Sequence, residues 1–145
     1  MPRENKELVR QAIDEIWNGG KYDIVEDFVS NDFVIYGSRS TGEIHGPSGV
    51  EAYFGMLRTA FPDLHFTVQD QIAEGDRVVT RWVARGTHTG ELQGIPPTGK
   101  ECTSSGIDID RIVNGKVVEC WALFDELGLM QQLGVVPEPE QAQAR

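Results

Sequence analysis

Cysteine and histidine are scarce in this chain, with two and three respectively among 145 residues. Cys102 and Cys120 do not stand at a metal-ligand spacing. His45, His65 and His88 form neither an HxH nor an HExxH pattern, so no metal site is expected. The chain has no P-loop and no GxGxxG, which leaves no phosphate cradle, and no GxSxG nucleophile elbow. No cofactor is expected. Basic residues are also few: 13 Lys and Arg stand against 23 Asp and Glu, a formal charge of −10. A field of that sign repels phosphate backbones and anionic lipid, so nucleic acid and membrane surfaces are not expected partners. No apolar run approaches the ~18 residues of a spanning helix. The opening "MPRENKELVR" lacks the apolar stretch of a secretory signal, and a cytoplasmic location is expected. Any chemistry must come from isolated side chains converging in a pocket.

What is present is patterning for one ordinary domain, expected over residues 1–136 and followed by a polar, mobile tail at 137–145. Residues 4–17 place Leu8, Val9, Ala12, Ile13, Ile16 and Trp17 on one helical stripe, stopped by Asn18-Gly19-Gly20. "KYDIVEDFVS" reads as a second, short helix, and Ser30-Asn31-Asp32 turns the chain into a strand, "FVIY". Residues 37–46 read as a polar, glycine-rich loop. Pro47 stands at the first turn of a third helix carrying Val50, Tyr53, Phe54, Leu57 and Phe61. The period then changes to that of strands. "LHFTVQDQI" and "RVVTRWVARGTHT" flank "EGD", and "KECTSSGIDIDRI" and "KVVECWALF" flank "VNG". The glycines and prolines of "GELQGIPPTGK" predict a rigid loop between these hairpins, and "DELGLMQQLG" a short closing helix.

Helices first and a meander after them predict an α+β fold, with a curved mixed or antiparallel sheet and the helices packed on one face. Several strands carry apolar residues of both parities, such as Val78, Val79, Trp82 and Val83. A sheet wetted on one face alternates more cleanly. The second face is therefore expected to be covered by another copy of the chain, a homodimer through the sheet.

Three stretches, "RWVARGTHTGELQGIPPTGK", "GIDIDRIVNGK" and "LFDELGLMQQLG", together with "NGGKYDIVEDFVSNDFV", resemble the SnoaL-like polyketide cyclases and ester cyclases. These belong to the cone-shaped superfamily named after nuclear transport factor two. The resemblance spans roughly residues 5 to 134. It implies helices and a bent sheet closing a cone around an apolar pocket, usually in a dimer. It also implies cofactor-independent aldol ring closure of a polyketide methyl ester, with limonene-epoxide hydrolases sharing the fold.

The family's main acid/base is an aspartate on the last strand, seven residues after the glycine of the preceding turn. Counting from Gly115 reaches Ala122, with Cys120 two residues before it. Alanine transfers no proton, so the usual catalyst is missing. Asp125 reads as the cap of the closing helix. The family's polar pocket group on the preceding strand falls at Asp108, and its face depends on the turn. A two-residue loop opposes Asp108 to Trp121 and sends it outward. A three-residue loop opposes it to Cys120 and turns it into the pocket, which is the expectation adopted. Asp108 is the expected general base, its pKa raised by desolvation. Arg81 is expected as its countercharge, and Tyr36 as an assisting donor at the pocket mouth.

Trp17, Tyr53, Phe54, Leu57, Cys120, Ala122 and Phe124 are expected to line the cavity. His88 is included among the ligand-binding candidates, although its glycine-flanked position suits a hydrogen bond that fixes the "GIPPTGK" loop. Along a hairpin at ~3.3 Å per residue, Cys102 lies roughly 20 Å from Cys120, so both thiols are expected free. The expected function is an enzyme working by proton transfer on a small apolar molecule, as a cyclase, aldol-type catalyst or isomerase. The alternatives are a non-catalytic ligand-binding module, in view of Ala122, or an epoxide-hydrolase-like enzyme.

Overall fold

A computed structural model describes residues 2–38 and 41–137, so all but Pro137 of the expected tail lies outside the described residues. Helix α1 (Pro2–Ala12) runs into a π-helical turn, Ile13–Asn18. The Asn18 side chain then grips the edge of the sheet. It donates to the Phe66 carbonyl at 2.9 Å and accepts from the Phe66 amide at 2.7 Å. The second helix is shorter than its sequence suggests: a 3-10 turn (Tyr22–Ile24) and a single α-turn, α2 (Val25–Phe28). Strand β1 (Val29–Tyr36) consequently starts ahead of "FVIY". The glycine-rich stretch read as a loop holds a short strand, β2 (Glu43–His45), paired with β1. Helix α3 (Gly46–Ala60) carries proline in its first turn, where a missing N–H costs nothing.

Four long strands follow: β3 (His65–Glu74), β4 (Arg77–Thr87), β5 (Glu101–Val113) and β6 (Lys116–Phe124), closed by helix α4 (Glu126–Leu133). They form one six-stranded mixed sheet in the order β2-β1-β6-β5-β4-β3. The β1–β6 pair is parallel and the other four pairs are antiparallel. The Asp125 carboxylate accepts from the Gly128 amide at 2.9 Å and caps α4, as its position suggests.

Alternation sorts the two faces of the sheet. Val78, Thr80, Trp82 and Ala84 on β4, with Cys102, Asp108, Asp110 and Ile112 on β5, are buried on the concave face under the helices. Their odd-numbered neighbours point outward. Direct pairing there builds a lateral row, Ile72, Val79, Ile109, Trp121 and Tyr36, across five strands. Beside it Ile107 and Leu123 stand opposite one another, and Leu123 is 67% exposed.

Candidate active site

The register of the β5–β6 hairpin decides which face receives Asp108. Its turn is the two-residue kind: Val113 pairs with Lys116, and Asn114 and Gly115 both take positive φ, at 51° and 77°. Continued unbroken, that register would set Asp108 opposite Trp121 and turn Cys120 and Ala122 away from its face. It breaks at Val118, because Ile112 pairs with Val117 whereas Arg111 pairs with Glu119. The extra residue is a β-bulge that moves the remainder of the pairing by one. Asp108 therefore stands opposite Ala122 and Asp110 opposite Cys120, all turned inward. The expected face is the observed one, but it is reached through a bulge rather than a three-residue loop.

Between the concave face and the helices lies a cavity enclosing about 910 Å³ of empty space, part of it open to solvent. Trp17, Tyr53, Phe54, Leu57, Cys120, Ala122 and Phe124 all line it, and Asp108 is set into its wall. Aromatic rings pack along one side: Trp17 stacks on Phe54 at 5.0 Å and meets Phe66 edge-on at 5.0 Å, and Phe66 meets Trp82 edge-on at 5.2 Å. A second, smaller apolar cavity under α1 is lined in part by Val9, Ile13 and Phe33. Asp110 opens onto it, and Cys120 borders both cavities.

Three of the expected site residues stand elsewhere. Arg81 is directly opposite Ile107 on the outer face, where its Nε donates to Asp70 of β3 at 2.8 Å. It cannot serve as countercharge to Asp108, because the two occupy opposite faces of the sheet. Tyr36 also points outward, stacked on Trp121 with its hydroxyl 3.5 Å from a Glu119 oxygen. The phenol that does reach the cavity is Tyr53, from α3. His88 is fully buried outside the cavity lining. Its Nδ1 accepts from the Thr98 amide at 3.2 Å, which leaves the ring proton of a neutral imidazole on Nε2. The Lys100 carbonyl accepts from the His88 amide at 2.9 Å, and Thr89 and Gly90 both donate to Ala60 at the end of α3. The "GTHTG" and "GIPPTGK" stretches thus clasp one another and the end of that helix.

Sequence reasoning passed over Asp110. It lies two residues from Asp108 on the same strand face and is 8% exposed, against 2% for Asp108. The two-residue spacing was the available signal, because strand alternation puts both carboxyls on whichever face receives either. Burial pushes Asp108 well above the usual carboxylate range and the Asp110 charge adds to that, while the Trp82 indole N–H works the other way. The indole contact falls short of a formed hydrogen bond, since Asp108 Oδ1 and Trp82 Nε1 are both buried without a partner. Asp110 is raised to about 7 by burial, opposed by a hydrogen bond with the Cys120 thiol. Burial first, then both carboxylates, push that thiol well up, so Cys120 stays neutral and serves as a donor. Burial, reinforced by Asp108 and moderated by the Thr41 hydroxyl, pushes Tyr53 up to about 12. At neutral pH the site is a coupled pair of reluctant carboxylates facing a neutral phenol and a neutral thiol. Among the described residues, no group of three or more His, Cys, Asp or Glu side chains is placed to hold a metal.

Aklanonic acid methyl ester cyclase DnrD of Streptomyces peucetius is 32% identical over 137 residues, covering 92% of this chain and 94% of that protein. Nogalonic acid methyl ester cyclase of Streptomyces nogalater is 29% identical, covering 81% and 89%. Among solved structures, IdmH from Streptomyces antibioticus, a candidate polyketide cyclase, superposes with a TM-score of 0.79 at 30% identity, covering 90% of this chain and 98% of that one. AclR from Streptomyces galilaeus, a candidate hydroxylase, superposes with a TM-score of 0.85 at 30% identity, covering 98% and 88%. The family model described as SnoaL-like polyketide cyclase matches residues 7–133, and this chain belongs to that family.

Proposed function

We propose that the protein is a cofactor-independent cyclase in which Asp108 moves the proton. The observation that carries this reading is a buried carboxyl with an unpartnered oxygen, set in the wall of an otherwise apolar cavity. In its ionised form Asp108 takes the proton from a carbon activated by flanking carbonyls. The resulting enolate attacks a ketone of the same molecule, forming one carbon–carbon bond. The alkoxide then recovers the proton from the Asp108 acid, so the sum is an isomerisation with no co-reactant. Desolvation raises the basicity of the carboxylate, which suits this exchange near neutral pH. The neutral Tyr53 hydroxyl is the donor on hand for developing negative charge on the substrate, the role first expected of Arg81 and Tyr36. Trp17, Phe54, Leu57, Ala122 and Phe124 present an apolar surface to flat rings.

The substrate class we assign is the methyl ester of an aromatic polyketide, following the relatives named above. We also assign a homodimer joined through the outer sheet face, where the row from Ile72 to Trp121 presents apolar area that water would otherwise cover. A cytoplasmic location fits the acidic composition. The test is to incubate the purified protein with aklanonic acid methyl ester and nogalonic acid methyl ester and resolve the products by chromatography. Ring-closed isomer above the uncatalysed background supports the reading. Saturable binding of both esters with no turnover would make this a ligand-binding module instead.

A further inference from the structure

Trp82 lies directly opposite Gly106 in the β4–β5 pairing, one inward-facing position along from Asp108. Its indole lies across the glycine. A Cβ on Gly106 would clash with the Cζ2–Cε2 edge of the ring, 2.7 Å from Cε2, and would stand 2.8 Å from the Leu123 carbonyl oxygen. Cε2 is bonded to Nε1, so the seat that holds the ring also fixes where the N–H points. That N–H is buried and unpartnered, as is Asp108 Oδ1. Two unsatisfied atoms of opposite hydrogen-bonding character, both in the wall of the same cavity, are costly to leave apart.

We propose that Trp82, seated on Gly106, is a positioning residue whose indole N–H orients the Asp108 carboxyl for proton transfer. The inference rests on the reading of Asp108 as the base. Gly106 is the only residue type the seat admits, because any side chain there lifts the indole from the sheet. The N–H favours the ionised carboxyl and so opposes the effects that keep the proton on. The ionisable groups acting on or responding to Asp108 are Asp110 from its own strand, Cys120 from β6 and Tyr53 from α3. Thr80 and Ala122, opposite it on the neighbouring strands, carry no charge.

The experiment follows the side-chain carboxyl of Asp108 by 13C NMR through a pH titration of the full chain. The signal is assigned by its loss in Asp108→Asn, and Asp110→Asn serves as the background so that one carboxyl titrates alone. Trp82→Phe keeps an apolar ring on the seat and removes the N–H. The expected result is an upward move of the Asp108 midpoint by about one pH unit. That move corresponds to a roughly tenfold loss of ionised carboxyl at pH values well below the midpoint. Gly106→Ala, which displaces the ring without removing the N–H, is expected to move the midpoint in the same direction. A midpoint unchanged or lowered in Trp82→Phe overturns the proposal. Turnover in Asp108→Asn is read separately: if it persists while the Trp82→Phe shift is seen, the base assignment falls and the positioning contact stands.

Discussion

Asp108 and Asp110 share a strand face and nearly the same burial, yet they serve different spaces. Asp108 reaches the large cavity, where a substrate could replace the water that a carboxylate needs. Asp110 reaches the small cavity under α1 and has the Cys120 thiol as its donor. Its cost is therefore visible in stability rather than turnover. In the unfolded chain an aspartate ionises near ~3.9, whereas in the folded chain Asp110 keeps its proton up to about 7. The folded state binds more protons across that window, so stability is greatest below it and falls as pH rises through it. Asp110→Asn removes this slope. In thermal melts at pH 8 the variant is expected to be more stable than the parent by a few kcal/mol, with the two converging near pH 4. Melting temperatures that differ equally at pH 4 and pH 8 would refute the assignment.

At the scale of elements, one inserted residue sets the register of the site. The bulge at Val118 reconciles a two-residue turn, which the hairpin adopts, with the pairing of Asp108 to Ala122, which that turn alone forbids. Val118 is the residue the pairing leaves out, so deleting it removes the bulge while Asp108 stays opposite Ala122 and Asp110 opposite Cys120. Cyclisation in the deletion variant is expected to stay within a few-fold of the parent, with folding retained by circular dichroism. A loss of about a hundredfold or more, the range lost with a positioned acid/base, would show that the bulge itself positions the site. The hairpins, the strand periods and the capping role of Asp125 were legible because each rests on local pattern. The inward turn of Asp108 was legible only through the family resemblance. Turn chemistry gave two answers, and the bulge leaves no mark in "KVVECWALF", where both parities are apolar. Arg81 and Tyr36 were misplaced for a related reason. Neighbouring strands bring residues close, but the pleat puts adjacent positions on opposite faces, and proximity alone chose Arg81 over its neighbour Trp82. Tyr53 and the aromatic wall were readable from helical spacing, although not as the cavity's donor.

The whole molecule is an open sheet whose two faces do different work. The concave face closes on helices around an apolar cavity, while the outer face carries polar pairs such as Arg81–Asp70 and Arg111–Glu119 around an apolar band. Arg77 lies 5.3 Å over the Trp121 ring and borders that band. If a second copy covers it, Ile107→Lys places a charge in the contact and is expected to weaken association by roughly tenfold or more. Sedimentation velocity across a concentration series reads this directly. Parent and variant at the same mass under all conditions would place the dimer contact elsewhere or remove it.

Under the proposed function, one carboxyl in an apolar cavity moves the proton although the last strand carries Ala122 where the resemblance to the cyclases leads one to expect an aspartate. The most direct test compares Asp108→Asn with the parent, measuring both turnover of a methyl ester substrate and its binding by fluorescence quenching of the cavity tryptophans. The expected result is kcat lowered by about a hundredfold or more, with Kd within a few-fold of the parent, since asparagine keeps the shape and removes the base. Equal kcat in the two proteins would contradict it.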